Sequence, residues 1–297
     1  MSLPTRSCFP VLRRRHTVVE TADRPIRALR HDEKVTSLSF DRHCDEIISQ
    51  TAWLTAHVRG ADMTVPVHSC PGWNLGQLLR HIGGDHRWAE EIVRTRATGP
   101  IPDELVNDLT PYTHEDASVL VPWLTEGASR LSATLRAAGP DALAWNPSEE
   151  RPAPVAFWAR RMTYETVVHR ADAALAAGAR FALDTDLAAD GVQEWLEYST
   201  FPEAFEARPD LPDLLGPDRR LHIDATDARE WVVDLTGERP VWRPGHDDVT
   251  ATARGPVTEL LLYFYKRPAP AVETKGDTAL LDLWRTRSGF WLEAPEA

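Results

Sequence analysis

Four residues separate Glu165 from His169 in the run FWARRMTYETVVHRADAALAAG, and no other spacing constrains the chain as much. The run reads as one helix packed against other helices. Residues four apart on a helix lie one above the other on the same face. Followed through the run, that face carries Trp158, Met162, Glu165, His169, Asp172 and Ala176. It begins apolar and turns into carboxylate, imidazole and carboxylate. Burying such a stripe costs several kcal/mol unless something pairs with it. A divalent metal ion would satisfy both Glu165 and His169, so the fold must bring a third ligand to this helix from a neighbour.

Periodicity supplies the neighbours. Phe40, Cys44, Ile47, Ile48, Leu54 and Val58 recur at helical spacing and predict a first helix from Thr36 to about Gly60. MTVPVHSCPGW reads as a loop. Asn74 caps a second helix, NLGQLLRHIGGDHRWAEEIVRTRA, whose apolar face is Leu75, Leu78, Leu79, Ile82, Ala89, Ile92 and Val93. Its Gly83-Gly84 pair weakens the helix and permits close approach of another backbone. A third helix is predicted from Glu115 to Ala138, LAWNPSEERPAP reads as a loop, and the fourth helix covers Val155 to Ala177 with Gly178 as its stop. Four amphipathic helices predict a mainly α four-helix bundle over residues 35–185.

The pattern changes beyond that point. The helical stretch DLAADGVQEWLEYST leads into a Pro- and Asp-rich segment. RLHIDATD, REWVVDLTG, PVWRPG and DVTATARG then read as short strands. PVTELLLYFYKR reads as a helix or a buried segment and TALLDLWRTR as a helix, so residues 186–297 form a small C-terminal α+β domain. Residues 1–34 show no periodicity and read as a poorly ordered extension; initiation near Val35 is the alternative.

Composition excludes several classes. A formal net charge of -12 gives no basic field to attract phosphates, so nucleic acid is not an expected partner. Three cysteines without paired spacing (Cys8, Cys44, Cys70) argue against a disulfide framework and for a reducing cytoplasm. No apolar run approaches the length of a membrane span, and the start lacks the apolar stretch of a secretory signal.

The third ligand falls on the second helix. His81 comes three residues after Leu78 and one before Ile82, bordering the core-facing stripe. His81, Glu165 and His169 with open positions make a set suited to zinc or another borderline divalent ion. Asp172 and Asp85 are placed to orient ligand imidazoles. The plainer alternative is a hydrogen-bonded core histidine and a chance spacing. His43, His57, His68, His86, His114, His222 and His246 share no face or spacing and are read as surface or loop residues.

Two strings carry a resemblance. VHSCPGWNLGQLLRHIGGDHRWAEEI, with its C-P-G-W loop before a helix bearing L-x-x-H-[IL]-G, and RMTYETVVHRADA, with E-x-x-x-H-R-x-D, resemble the mycothiol-dependent maleylpyruvate isomerase family, which is related to DinB-like metal-binding bundles. The C-terminal pieces DATD-x-x-EW, RGP-x-x-x-LLL and GD-x-x-LLDLWR resemble that family's second domain. The likeness spans roughly residues 36–290 in order. It implies metal ligands at His81, Glu165 and His169 and a catalytic arginine at Arg267. The family usually shows a glycine where this chain has Lys266, which puts the local turn at issue.

The resemblance also implies a chemistry. Mycothiol is a low-molecular-weight thiol, and a divalent metal, Zn2+ by the donor set, stabilises its thiolate near neutral pH. Addition of the thiolate to an activated double bond, rotation and elimination would convert a maleylpyruvate-like diacid from cis to trans. Arg267 would stabilise the growing negative charge or hold a substrate carboxylate; the alternative for it is a solvated helix-end arginine. No protein nucleophile is needed, so Cys70 is read as part of the loop, and Trp73 packs that loop or stacks on substrate. The competing functions are a mycothiol S-transferase conjugating an electrophile, a non-catalytic metal-binding module and a metal-dependent hydrolase.

Overall fold

The computed structural model describes residues 38–102, 116–148 and 151–292; the expectations for residues 1–34, Cys8 and His114 lie outside them. Helix α1 (Phe40–His57) begins where the Ser39 hydroxyl accepts the Arg42 N–H at 3.1 Å. Helix α2 (Leu75–Thr95) begins at a reciprocal cap. Asn74 accepts from the Gln77 N–H at 2.8 Å, and the Gln77 side chain accepts from the Asn74 N–H at 2.9 Å. The glycine pair does not interrupt α2. A Cβ on Gly83 would lie 2.1 Å from the ring of Trp123 in α3 (Ala117–Ala138). An aromatic ring fills the space at Gly83, and the backbones also come close, since a Cβ on Gly127 of α3 would lie 3.6 Å from Gly83 O.

The segment read as a loop after α3 is a hairpin. Strands β1 (Leu143–Asn146) and β2 (Arg151–Pro154) pair antiparallel, with Ala144 opposite Ala153. Pro152 and Pro154 hid it from the sequence pattern, yet prolines are tolerated where a strand is an edge, and both strands of a ribbon are edges.

Helix α4 (Ala156–Ala176) carries the polar stripe and departs from the amphipathic expectation. Every residue from Arg161 to Ala174 is buried. Three apolar clusters meet on it. Trp158, Ala159 and Met162 pack with α1, α2 and α3 residues, and Ala173 packs with Leu54 and Leu78. Tyr164, Val167 and Val168 pack with the second half of the chain. A helix covered on all sides shows no single apolar face.

The second half starts with α5 (Thr185–Tyr198) and the short α6 (Pro202–Phe205). It continues through β3 (Arg220–Ala225), β4 (Glu230–Asp234), β5 (Val241–Pro244), β6 (Ala251–Gly255), α7 (Val257–Phe264), β7 (Glu273–Gly276) and α8 (Thr278–Ser288). The sheet order is β5-β4-β3-β6-β7, with β3 and β6 parallel and the other pairs antiparallel. Leu221, Ile223, Trp231 and Val233 line one face against Trp195, Leu261, Phe264 and Trp284 of the helices. Strand β7, ETKG, leaves no strand pattern in the sequence because none of its residues is apolar, and all four are exposed. The architecture is thus a mainly α bundle followed by a small α+β unit. Among the described residues no helix is long and apolar enough to cross a membrane.

Candidate metal centre

The structure brings His81, Glu165 and His169 together, with one donor atom from each within 4.8 Å of the other two. The two imidazole rings lie 5.0 Å apart, edge to face. Glu165 and His169 are 5% and 3% exposed, and the His81 side chain 8%. His81 Nε2 is buried without a hydrogen-bond partner; Asp85 Oδ2 lies 3.2 Å away but in a geometry that makes no hydrogen bond. Burial, reinforced by the neighbouring His169, pushes the His81 pKa down to about 3, so its imidazole is neutral and able to ligate.

Each of the other two groups is held from behind. His169 Nδ1 lies 2.8 Å from Asp172 Oδ2, while its Nε2 faces Glu165 Oε2 at 3.5 Å. This is the carboxylate–imidazole arrangement that fixes the tautomer and aim of a metal-binding histidine. Arg161, one turn before Glu165, donates to Glu165 Oε1 through Nε at 3.2 Å and also through Nη2. Burial alone would raise the Glu165 pKa, but Arg161, then His169 and His81, lower it.

The loop before α2 closes one wall. Trp73 N–H donates to Cys70 O at 3.0 Å across Pro71 and Gly72, and Gly72 has φ +85°, as a type II turn requires. The turn sets the Trp73 ring 4.9 Å from that of His81 and 6.4 Å, nearly parallel, from that of His169. The Cys70 thiol donates to Asp172 Oδ2 at 3.3 Å. A cleft of about 420 Å³ runs along the same loop and includes Trp73, but none of the three donor residues lines it.

Arg267 reaches the site from the second half of the chain. Helix α7 ends with Lys266 N–H bonded to Tyr263 O at 3.0 Å and Arg267 N–H to Leu262 O at 2.9 Å, a Schellman turn. Lys266 has φ +61°, the left-handed conformation that glycine adopts without penalty. The turn forms despite the lysine and aims Arg267 inward. Its Nε and Nη2 fork over Asp172 at 2.9 and 2.6 Å, and Nη1 donates to Tyr265 O at 2.7 Å. At 8% exposure the side chain is not a solvated helix-end arginine. Burial would raise the Asp172 pKa; Arg267 and His169 instead hold it well below the carboxylate range.

Residues 44–174 match the mycothiol maleylpyruvate isomerase N-terminal domain family, and residues 186–283 match the C-terminal domain of the same family. The chain belongs to the mycothiol maleylpyruvate isomerase family. A crystal structure of the mycothiol-dependent maleylpyruvate isomerase shares the fold of this family member with a TM-score of 0.57 at 15% identity, over 81% of this chain and 95% of that one. A histidine-to-alanine mutant of that isomerase gives a TM-score of 0.57 at 14% identity, with the same coverage. No curated protein sequence matches this chain.

Several residues of this isomerase-family site were not legible in the sequence. Arg161 stands at i−4 from Glu165, a spacing that by itself carries no sign of its role. Glu194 of α5 and Tyr265 gave no signal. Arg161 Nη1 contacts Glu194 Oε2 and lies 3.2 Å from the Tyr265 hydroxyl, while the Tyr198 hydroxyl donates to Glu194 Oε1 at 3.3 Å. One guanidinium thus serves two buried carboxyls. Burial pushes the Glu194 pKa up to about 7 despite Arg161, whereas Arg161 and the two imidazoles lower that of Glu165.

Three histidines expected at the surface are buried. His86 bonds Thr166 Oγ1 at 2.9 Å. His43 sits 3.5 Å from Asp190 and edge-on to Tyr164. His222 is 5% exposed on β3. His43 and His86 escaped notice because α4 and α5 supply partners to faces that look external within one helix.

Proposed function

We propose that this chain is a metal-dependent enzyme using mycothiol to isomerise a maleylpyruvate-like diacid, with a zinc ion held by His81, Glu165 and His169. The observation that carries this reading is a buried neutral imidazole with an unused nitrogen, facing a carboxylate oxygen and a second imidazole whose far side is already bonded. Two imidazoles and a carboxylate are the donor set of catalytic zinc sites with open positions. An ion held by His81, Glu165 and His169 would keep a thiol ionised near neutral pH, the form able to add reversibly to an activated double bond.

The chain's own residues prepare that chemistry. Asp172 holds His169 with Nε2 towards Glu165 Oε2, and Arg161 holds Glu165 by Oε1, so that Nε2 and Oε2 are the atoms that would hold an ion. Trp73 lies against both imidazoles and keeps water from that side. Arg267 places a positive charge beside the site and locks Asp172.

A second reading rests on Arg267. Its bidentate edge is taken by Asp172, so what it offers a substrate is charge rather than a carboxylate clamp. That arrangement favours an electrophile without two carboxylates, as in a mycothiol S-transferase. The test is elemental analysis of the purified protein, followed by thiol-dependent turnover of maleylpyruvate measured beside conjugation of neutral electrophiles. Replacing His81 or Glu165 by Ala is expected to strip the metal and abolish turnover while leaving most helicity. A fully active, metal-free variant overturns the proposal.

A further inference from the structure

A second convergence of imidazoles and a carboxylate lies outside the bundle. His222, Glu230 and His246 each place a donor atom within 4.8 Å of the others'. They come from three separate segments: the central strand β3, the start of β4, and the turn after β5. Register explains the first two. His222 pairs with Val232 and Asp224 with Glu230, so His222 and Glu230 are diagonal neighbours on the sheet face away from the helices. His222 Nε2 lies 2.8 Å from Glu230 Oε2.

The third is delivered by a turn. Gly245 has φ +109° and its N–H donates to Glu230 O at 3.0 Å. The next residue, His246, thereby stands over Glu230, with Nδ1 3.9 Å from Oε2 and its ring 4.7 Å from that of His222, edge to face. The turn is pinned by Arg243 to Asp247 at 2.8 Å and by the Asp248 N–H on the Asp247 carboxylate. The nearby Arg254 is engaged by Asp224, so its charge is compensated. A hydrogen bond accounts for His222 against Glu230; it leaves the pinned approach of a second imidazole to the same oxygen without a role.

We propose that His222, Glu230 and His246 form a second site for a borderline divalent transition metal such as Zn2+, separate from the bundle site. Two imidazole nitrogens and one carboxylate oxygen favour zinc, copper or nickel over magnesium or calcium, which take oxygen donors. Glu230 and His246 are 42% and 67% exposed, so water completes the coordination and the ion exchanges faster than one in the bundle. Its consequence is mechanical, because it ties the β5–β6 turn to β3 and β4.

The experiment counts ions on the full chain by equilibrium dialysis against Zn2+ and by the visible absorbance of Co2+. Wild type is expected to bind two ions and His81→Ala one. Glu230→Gln and His246→Ala, each altering an exposed side chain, are each expected to bind one and to keep wild-type turnover. An ion count that neither Glu230→Gln nor His246→Ala lowers overturns the proposal, whereas a count that His81→Ala does not lower is failure of the bundle site. Because the readout is a count on either site's variants, its failure is distinguishable from failure of the isomerase reading.

Discussion

The chain holds two histidine–carboxylate–histidine clusters of the same composition in opposite settings. Glu165 and His169 are buried and the His81 side chain is 8% exposed, and each carboxylate or imidazole of α4 is fixed by a further residue. His222, Glu230 and His246 meet on the sheet face away from the helices, with His222 buried and the Glu230 and His246 side chains 42% and 67% exposed, and a strand register and one glycine turn do the positioning. The first cluster depends on desolvated charge pairs, which are strong when complete and costly when broken. The second depends on backbone geometry, and water tolerates its imperfections.

The contrast breaks most sharply at the arginines behind each cluster. Arg161→Met removes the guanidinium shared by Glu165 and Glu194 and is expected to cost about 3–5 kcal/mol in chemical denaturation. Arg243→Ala, which removes the exposed pair with Asp247, is expected to cost less than about 1 kcal/mol. Equal losses would dissolve the distinction. Next in size is the sharing of Arg161 itself. The Glu194 pKa is raised from 4.5 to about 7, so its contribution to stability is fully present below pH 4.5 and is lost as pH rises through about 7. Relative to wild type, Glu194→Gln should therefore gain about 2–3 kcal/mol between pH 5 and pH 8. Parallel pH profiles would show that the proton sits elsewhere.

Asp172→Asn tests the backing of His169. Metal affinity measured by chelator competition should fall about 10–100-fold, with the helix content unchanged; an unchanged affinity would make Asp172 a packing residue. The smallest effects belong to the two turns. Lys266→Gly relieves a left-handed lysine and should raise stability by about 1 kcal/mol, with turnover unchanged, whereas Gly245→Ala places a side chain at φ +109° and should lower it by about 1–3 kcal/mol. Thermal denaturation of the pair shows whether Arg267 and His246 are both aimed by backbone conformation.

Much of this molecule was legible in its sequence. The i, i+4 and i+7 relations on α4 put Glu165, His169 and Asp172 on one face, and the Leu78–Ile82 spacing put His81 beside the core. Asn74 and Gly178 marked helix ends, and alternating strands marked the second half. Such relations are local: helical or strand periodicity sets the angular position of a side chain on its own element. Only the tertiary structure decided that α4 is covered on every side, that Arg161 is shared with Glu194, that Arg267 crosses 95 positions to lock Asp172, and that His222, Glu230 and His246 meet. Those contacts depend on how elements pack and in what register they pair, and neither is written into the spacing of residues along any one of them.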